Sequence, residues 1–514
     1  MRPFSFPVVL ALLAGPFSLA PVRAAASQSP QVAPADATAG YYFLVARRLE
    51  DDGKTDAAIT ALKEAITLAP DSAEVRAELA GIYARHDRAR EALEMAEISL
   101  QHDPANREAN RVLGSVYASL VDQRAPVRAG DDPSQYRAKG IAALEKSRRE
   151  SGVDLNLELM LGRLYLQGGT FDKAIASLKR VAEDAPGYPE GAMLLAAAQE
   201  GAGQPNDAIR TLEVSLQENP TFYRGQVRLA ELYEAQRRFK DAAAAYGRAQ
   251  TANARADLAP KQAAAFINAG DPTAARDLLQ AAVTRRTTPD AALFYMLAQA
   301  QRQLKDFDGA TVTAGKLKTA FPDDARALYL DAQILQDKGK TADAITAFQA
   351  LVKRAPDDGM LLYEYANLLE KGGRTADAER ALRDLIGRDP LDANALNSLG
   401  YMLAERGQRL DEAVDLLQRA LKVFPDNPSF LDSLGWAFYQ QGKIEMADAP
   451  LTEAAAKLPE NSVVQDHLGE LRFKQQRFAD AAAAWERALS GDRDAIDSAK
   501  IEKRLRDARA RAGR

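Results

Sequence analysis

Residues that could carry out chemistry are scarce in this sequence. Its 514 residues include no cysteine and only three histidines, His86, His102 and His467. The lack of cysteine excludes disulfides, thiolate metal sites and a cysteine nucleophile. No histidine stands at metal-ligand spacing from another, and no glycine-rich phosphate loop or nucleophile elbow is present. We therefore expect no enzyme activity and no cofactor or metal, although a Ser–His–Asp site assembled from distant segments would leave no motif.

Charge and composition narrow the class of partner. The formal net charge is −5, and no long run of Lys and Arg interrupts the body of the chain. A nucleic-acid-binding protein needs a concentrated basic surface to neutralise phosphates. With 46% hydrophobic and 27% charged residues, the chain resembles an ordinary folded protein. We expect other proteins, and not nucleic acid, as partners.

The N-terminus has the features of an export signal. Arg2 precedes an apolar run, Val8 to Ala20, and the segment Val22-Arg23-Ala24 offers a site where a signal peptidase would cut. The run is shorter than the ~20 apolar residues that span a bilayer. We predict a signal peptide at 1–24, a flexible linker at 25–38 and no transmembrane segment in the mature chain. An uncleaved N-terminal anchor is the alternative.

A 34-residue period runs through the rest of the chain. Prolines recur in groups with that spacing, one step of 35 excepted: Pro70, Pro104; Pro186, Pro220; Pro322, Pro356, Pro390, Pro425, Pro459. Small residues recur with them, as in Leu434-Gly435 and Leu468-Gly469. A fixed period of this length indicates stacked helical repeats. Glycine suits the end of the first helix of each repeat, and proline the end of the second.

This pattern resembles the tetratricopeptide repeat (TPR). Thirteen repeats are predicted, starting near residues 39, 73, 107, 155, 189, 223, 256, 291, 325, 359, 393, 428 and 462. The third carries an insertion at 122–135, and the seventh is irregular because Pro260 lies in its first helix. The resemblance implies an all-α, right-handed superhelical solenoid of helix-turn-helix units.

The predicted domains follow the repeats. An N-terminal array covers 39–254, an irregular repeat at 255–290 is a plausible hinge, and a C-terminal array covers 291–495. At 496–514, an apolar stripe formed by Ile501, Leu505, Ala508 and Ala512 indicates a capping helix.

The TPR resemblance also implies where partners bind. In such arrays the second, fifth, ninth and twelfth residues of each repeat usually face a concave groove. Tyr and Trp offer rigid contact area, and amides can bond an extended peptide backbone. The predicted groove residues are Tyr295, Gln299, Tyr329, Gln333, Tyr363, Asn367, Asn397, Tyr401, Asp432, Trp436, Tyr439, Asp466, Glu470 and Phe473.

The groove prediction has an alternative, in which the fifth-residue tyrosines pack between neighbouring helices. If the groove prediction holds, Asp432, Asp466 and Glu470 favour a basic partner segment. Trp485 occupies a core position of its second helix, so we expect it to be buried.

The stretch from Leu396 to Trp436 resembles the C-terminal repeats of bacterial cell-envelope TPR adaptors. Some of these relatives deliver substrates to periplasmic proteases, and others organise exopolysaccharide export. The resemblance implies a periplasmic scaffold or adaptor, in the periplasm or on the periplasmic face of the outer membrane. The alternative is a structural component of an exopolysaccharide or secretion assembly. Because the lipid-anchoring cysteine of many relatives is absent, peripheral association with the envelope stays open.

Overall fold

The computed structural model describes residues 38–121, 126–149, 151–492 and 496–513. Within these residues the chain is all-α, and one 3₁₀ turn, Pro133–Gln135, is its only other helical element. The α-helices, α1 to α27 in chain order, are Ala39–Asp51, Thr55–Leu68, Ala73–Arg85, Ala89–His102, Arg107–Leu120, Tyr136–Ser147, Leu155–Gln167, Phe171–Asp184, Pro189–Gly201, Pro205–Glu218, Tyr223–Ala235, Phe239–Ala252, Ala259–Asn268, Pro272–Arg285, Ala291–Gln303, Phe307–Ala320, Ala325–Asp337, Thr341–Arg354, Gly359–Lys371, Thr375–Arg388, Ala393–Glu405, Leu410–Val423, Pro428–Gln440, Ile444–Lys457, Ser462–Lys474, Phe478–Ser490 and Ser498–Ala512.

The first twenty-six helices form thirteen consecutive pairs, as the repeat count predicts. Most pairs are joined by a turn of three residues, such as 52–54 between α1 and α2, so their helices run antiparallel. Each first helix begins at the predicted repeat start, except in the seventh pair. There α13 begins at Ala259 instead of 256 and is only 10 residues long, because Pro260 fits the first helical turn and not the interior.

Close packing within a pair depends on the small eighth residue of each repeat. A methyl group on Gly435 would lie 2.5 Å from Leu451 Cγ, and one on Gly469 would lie 2.4 Å from Trp485 Nε1. Interiors packed this tightly do not admit extra atoms without strain. Trp485 itself is 1% exposed, which confirms its predicted place in the core.

The turns depend on local backbone chemistry. Gly442, just after α23, has a φ of 74°, and Gln476 adopts the same left-handed conformation after α25 with a φ of 62°. Asn427 and Asn461 cap the following first helices by accepting hydrogen bonds from backbone N–H groups. The second helix α24 ends at Lys457, two residues before Pro459, as the repeat pattern predicts.

The insertion at 122–135 lies between α5 and α6, and the structure describes it from residue 126. Arg128 donates two hydrogen bonds to Glu97, at 2.6 and 2.8 Å, and Val127 N donates to the Tyr136 hydroxyl at 3.0 Å. The described part of the insertion is therefore held against the repeats.

The described residues fall into two compact units, with the boundary between Asn219 and Pro220. The irregular repeat lies inside the second unit, and its role as a hinge stays a prediction. At the C-terminus, α27 buries Ile501, Leu505 and Ala508 of the predicted stripe, whereas Ala512, in the last turn of the helix, is exposed.

The predicted signal peptide and most of the linker lie outside the described residues. Thr38, the last linker residue, accepts a hydrogen bond from Tyr41 N and caps α1. Among the described helices, none is both long and apolar enough to cross a bilayer.

Candidate functional site

Six of the predicted groove residues lie on the first helices α15, α17 and α19, and we call them the tyrosine ladder: Tyr295, Gln299, Tyr329, Gln333, Tyr363 and Asn367. Each helix contributes one tyrosine at its fifth position and one amide at its ninth. The three tyrosines are half-buried and Asn367 is exposed. These side chains therefore remain accessible although they also touch neighbouring repeats.

Amide side chains link the first two steps of the ladder. Gln299 Nε2 donates to the Tyr295 hydroxyl at 2.9 Å and to Gln333 Oε1, one repeat further on, at 3.1 Å. Arg302 bonds both glutamine oxygens and pairs with Asp337 at 2.6 Å. This network fixes the two amides in defined orientations.

The other two tyrosines bond to the next repeat through their hydroxyl groups. Tyr329 donates to the Glu364 carboxylate at 2.7 and 2.8 Å, and the Tyr363 hydroxyl lies 3.0 Å from Ser398 Oγ. Burial and the bond to Glu364 raise the pKa of Tyr329. The tyrosines join neighbouring repeats, which is a feature of the packing alternative. Their rings also remain half-exposed, which is a feature of the groove prediction.

The next first helices, α21, α23 and α25, carry a different arrangement, the aromatic cluster of Tyr401, Glu405, Asp432, Trp436, Tyr439 and His467. The Trp436 ring stacks on His467 at 4.0 Å between centroids and on Tyr439 at 4.9 Å. Its indole N–H donates to Glu405 at 2.9 Å. Trp436 is only 8% exposed, so most of its surface is used inside the protein.

A histidine–aspartate pair lies at the centre of this cluster. His467 Nδ1 is 3.0 and 2.9 Å from the two Asp432 carboxylate oxygens, and each residue is 5% exposed. Burial alone would lower the pKa of His467, but the charge of Asp432 and its hydrogen bond outweigh burial and raise it. Asp432 therefore holds the imidazole in place and favours its protonated form.

Two tyrosines complete the cluster. Burial, with the charges of Glu405 and Asp432, raises the pKa of Tyr401. Burial and the neighbouring Glu470 raise the pKa of Tyr439 to about 12, and the Tyr439 hydroxyl donates to Glu470 at 3.3 Å. Both phenols therefore remain protonated hydrogen-bond donors at neutral pH.

The acidic end of the predicted groove is paired with the chain's own last helix. Arg504 of α27 contacts Asp466 at 3.5 Å and also pairs with Glu470. Asp466 additionally accepts a hydrogen bond from the Trp485 indole at 2.8 Å. The Arg511 guanidinium lies 4.9 Å from the centre of the Phe473 ring. A basic segment thus occupies this end, as the acidic side chains favour, but it belongs to the same chain.

Asn397 lines an open cleft between α21, α23 and α25. The cleft has a volume of about 450 Å³, and we call it the Asn397 cleft. Its walls comprise Asn397, Tyr401, Ser429, Asp432, Ser433, Glu460, Asn461, Ser462, Val463, Val464 and Asp492. Three predicted groove residues meet here.

Sequence reasoning missed the partners of the predicted residues. Glu364, Ser398 and His467 each lie 35 residues after the side chain that they bond. A search for polar residues at the sixth position of each repeat that can bond the fifth residue of the preceding repeat would have found all three. Arg302, Glu405 and Arg504 follow no such rule that we recognise.

Within the described ranges, no three His, Asp or Glu side chains are grouped to hold a metal ion.

This geometry defines a class of protein: an all-α repeat protein whose first helices present linked polar and aromatic side chains. Two sequence profiles, both described as tetratricopeptide repeat, match the chain. One covers residues 159–221 and, in overlapping segments, 261–462, and the other covers 49–119. The chain belongs to the tetratricopeptide-repeat family, whose members are protein-interaction scaffolds.

Individual relatives match less completely. A TPR repeat-containing protein of Pseudomonas aeruginosa is 47% identical over 76 residues, which is 15% of this chain and 13% of the relative. The chain thus spans about an eighth of that relative's length. A tetratricopeptide repeat protein from Parabacteroides merdae is 17% identical with a TM-score of 0.42, covering 49% of this chain and 97% of that one. Yeast Tom70 is 15% identical with a TM-score of 0.34, covering 92% and 96%.

Proposed function

We propose that this chain is a non-catalytic scaffold of the bacterial cell envelope that binds extended segments of partner proteins along the tyrosine ladder. The observation that carries this proposal is that Gln299, Gln333 and Tyr329 are oriented by bonds between repeats while remaining partly exposed. Side chains fixed before binding lose little conformational freedom when a partner arrives.

The envelope location is part of the proposal and is supported by the sequence of residues 1–24. The C-terminal resemblance to envelope adaptors supports a further step, in which the bound segment is delivered to a periplasmic protease. Fractionation of cells that express the full chain would test the location. Recovery of the uncleaved protein in the cytoplasm would contradict it.

Site-specific photo-crosslinking tests the binding surface. A benzoylphenylalanine placed at the exposed ladder position Asn367 should crosslink to a reduced, carboxymethylated, permanently unfolded protein. In the control, the same probe replaces Val312, which is 60% exposed on the second helix α16. We expect strong crosslinking from Asn367 and little from Val312. Equal labelling at both positions, or none at Asn367, would contradict binding along the ladder.

A second candidate is a structural component of an exopolysaccharide or secretion assembly. The exposed apolar side chains on second helices, Val312 at 60% and Met446 at 51% exposed, are the positions at which this candidate can be tested. In envelope extract, a stable complex that crosslinks through Val312 or Met446 and tolerates Tyr329→Ala would favour this assembly role.

A further inference from the structure

Among the described first helices of the first unit, only α9 lacks a capping side chain. Helices α1, α3, α5 and α7 each begin after a Thr, Ser, Asn or Asp whose side chain accepts a hydrogen bond from a backbone N–H group. Before α9 the same position is occupied by Tyr188, which makes no such bond. Because a capping oxygen stabilises the start of a helix, helix formation does not explain a tyrosine at this position, and departures of this kind are typical of functional surfaces.

Tyr188 lines an open apolar pocket between α8, α9 and α10, which we call the Tyr188 pocket. The buried side chains of Ala192 and Leu195 also line it, together with the exposed residues Pro186 and Val214. Its volume is about 230 Å³. An apolar cavity of about 150 Å³ already holds a benzene molecule. The pocket therefore has room for one side chain of the size of leucine or phenylalanine.

Two large apolar side chains beside this pocket face solvent. Tyr188 is 39% exposed and Val214 is 50% exposed, although they belong to different helices. Single exposed apolar residues are common on protein surfaces. Two that meet at one apolar pocket form a continuous apolar surface, which is typical of a site of contact with another molecule.

The charge next to the Tyr188 pocket is negative. Asp184 is the last residue of α8 and directly precedes a residue of the lining, and Glu218, the last residue of α10, lies one helical turn after Val214. Both carboxylates are exposed, and neither has an ion-pair partner in the part of the chain that the structure describes. A carboxylate at the C-terminal end of a helix opposes the helix dipole, so no local interaction favours either of them.

The positive charge in the lining is already used within the chain. Arg210 lines the pocket and pairs with Asp207, one turn earlier in α10. Asp184 and Glu218 therefore remain available to a partner that brings its own positive charge.

We propose that the Tyr188 pocket binds a leucine or phenylalanine side chain of a partner protein, next to basic residues that lie against Asp184 and Glu218. Affinity comes mainly from burial of the apolar side chain against Tyr188 and Val214, and the two carboxylates select the charge that flanks it. This surface belongs to the first unit, whereas the tyrosine ladder belongs to the second, so the inference goes beyond the proposed function.

Selection from a library of random peptides displayed on phage tests the proposal. The baits are the wild-type full chain and Val214→Gln, which makes the edge of the pocket polar without adding charge. We expect the peptides that the wild type recovers and Val214→Gln loses to share a leucine or phenylalanine next to lysine or arginine. The control Val312→Gln makes the same change at an exposed valine of α16 and should recover the same peptides as the wild type.

Tyr188→Ser separates binding from folding. A serine restores the capping oxygen that Ser72 provides before α3, so hydrogen-exchange protection at the start of α9 should stay the same or increase. A selected peptide, measured by fluorescence anisotropy, should nevertheless bind this variant about tenfold more weakly, because the ring that covers its apolar residue is lost. Replacing that apolar residue of the peptide by alanine should weaken binding to the wild type similarly.

A further variant tests the charges. Asp184→Asn combined with Glu218→Gln should reduce the salt dependence of peptide binding, since screening acts on the attraction that these carboxylates provide. Unchanged salt dependence in the double variant would contradict the role of the two carboxylates.

Three other results overturn the proposal. One is that no peptide distinguishes the wild type from Val214→Gln, since the pocket is then not a binding site. Another is that the distinguishing peptides lack a bulky apolar residue or carry acidic residues beside it. The third is that a selected peptide binds Tyr188→Ser as tightly as the wild type, which would place its binding site elsewhere.

Discussion

The tyrosine ladder and the aromatic cluster both use the fifth and ninth positions of successive repeats and yet differ in burial. Tyr329 and Tyr363 each make one hydroxyl contact to the next repeat and remain half-buried. In the cluster, Trp436 stacks on both His467 and Tyr439 and is 8% exposed. Position in the repeat therefore selects which side chains meet, and residue type decides how far they are buried.

The largest expected effect is on stability, and it should distinguish the aromatic cluster from the tyrosine ladder. Asp432→Ala leaves the buried His467 without its carboxylate, and removal of one partner of a buried ion pair typically costs about 3–5 kcal/mol. Long repeat arrays do not unfold in one step, so the readout is hydrogen exchange of the amides in α23 and α25. We expect their protection to fall strongly, while protection of α15 and α17 changes little.

A matched change in the ladder provides the control for this prediction. Tyr329→Phe removes a hydroxyl from a half-buried ring and leaves Glu364 accessible to water, so protection of α17 should fall far less. A loss of protection in α17 as large as that in α23 after Asp432→Ala would show that ladder and cluster are equally structural.

A second, smaller effect concerns pH and should appear only in the cluster. The folded-state pKa of His467 lies above its ordinary value of 6.5. The stability that the charged imidazole contributes is therefore complete below the unfolded-state pKa and is lost as pH rises through the folded-state pKa. Asp432, Glu405 and Asp466 provide the negative charges around it, and the phenol of Tyr401 is its neutral neighbour.

The measurement is hydrogen exchange corrected for the intrinsic pH dependence of exchange. We expect the opening free energy of α25 to decrease as pH rises from below 6.5 through the folded-state pKa. The same quantity in α17 should stay constant, since no histidine lies there. His467→Gln should remove the pH dependence from α25, and a dependence that persists in that variant would assign it to another group.

Much of the fold could be predicted from the sequence because repeats impose the same packing at fixed intervals. Proline spacing and the small eighth residue identified nearly every first-helix start, since Gly435 and Gly469 have no room for a larger residue. The seventh repeat deviated because Pro260 shifts the helix start to Ala259. The positions of proline and of small residues are enough to predict the helices where the same packing recurs in every repeat.

The candidate site was less predictable, because its contacts join different repeats. The positions of Asp432 and Trp436 indicate a groove, but their burial comes from His467, which lies on the next first helix. Likewise, the acidic character of Asp466 and Glu470 predicts a basic partner without revealing that Arg504 of the same chain supplies the charge. The position of a residue within its repeat identifies it as a candidate for binding. Only the residues on the adjacent helices show whether its charge or hydrogen-bonding groups are already used within the chain.

The smallest expected effect tests whether the ladder serves binding more than packing. Tyr363→Phe removes the hydroxyl contact to Ser398, a neutral pair whose loss costs about 0.5–1.5 kcal/mol. Tyr363→Ala additionally removes the ring, and with it the rigid contact area offered to a partner. If the ladder is a binding surface, Tyr363→Ala should weaken crosslinking from Asn367 to the unfolded protein much more than Tyr363→Phe does. The opposite result is that both variants crosslink as strongly as the wild type, while Tyr363→Ala alone strongly lowers the protection of α19. That result would assign the Tyr363 ring to packing, as in the aromatic cluster.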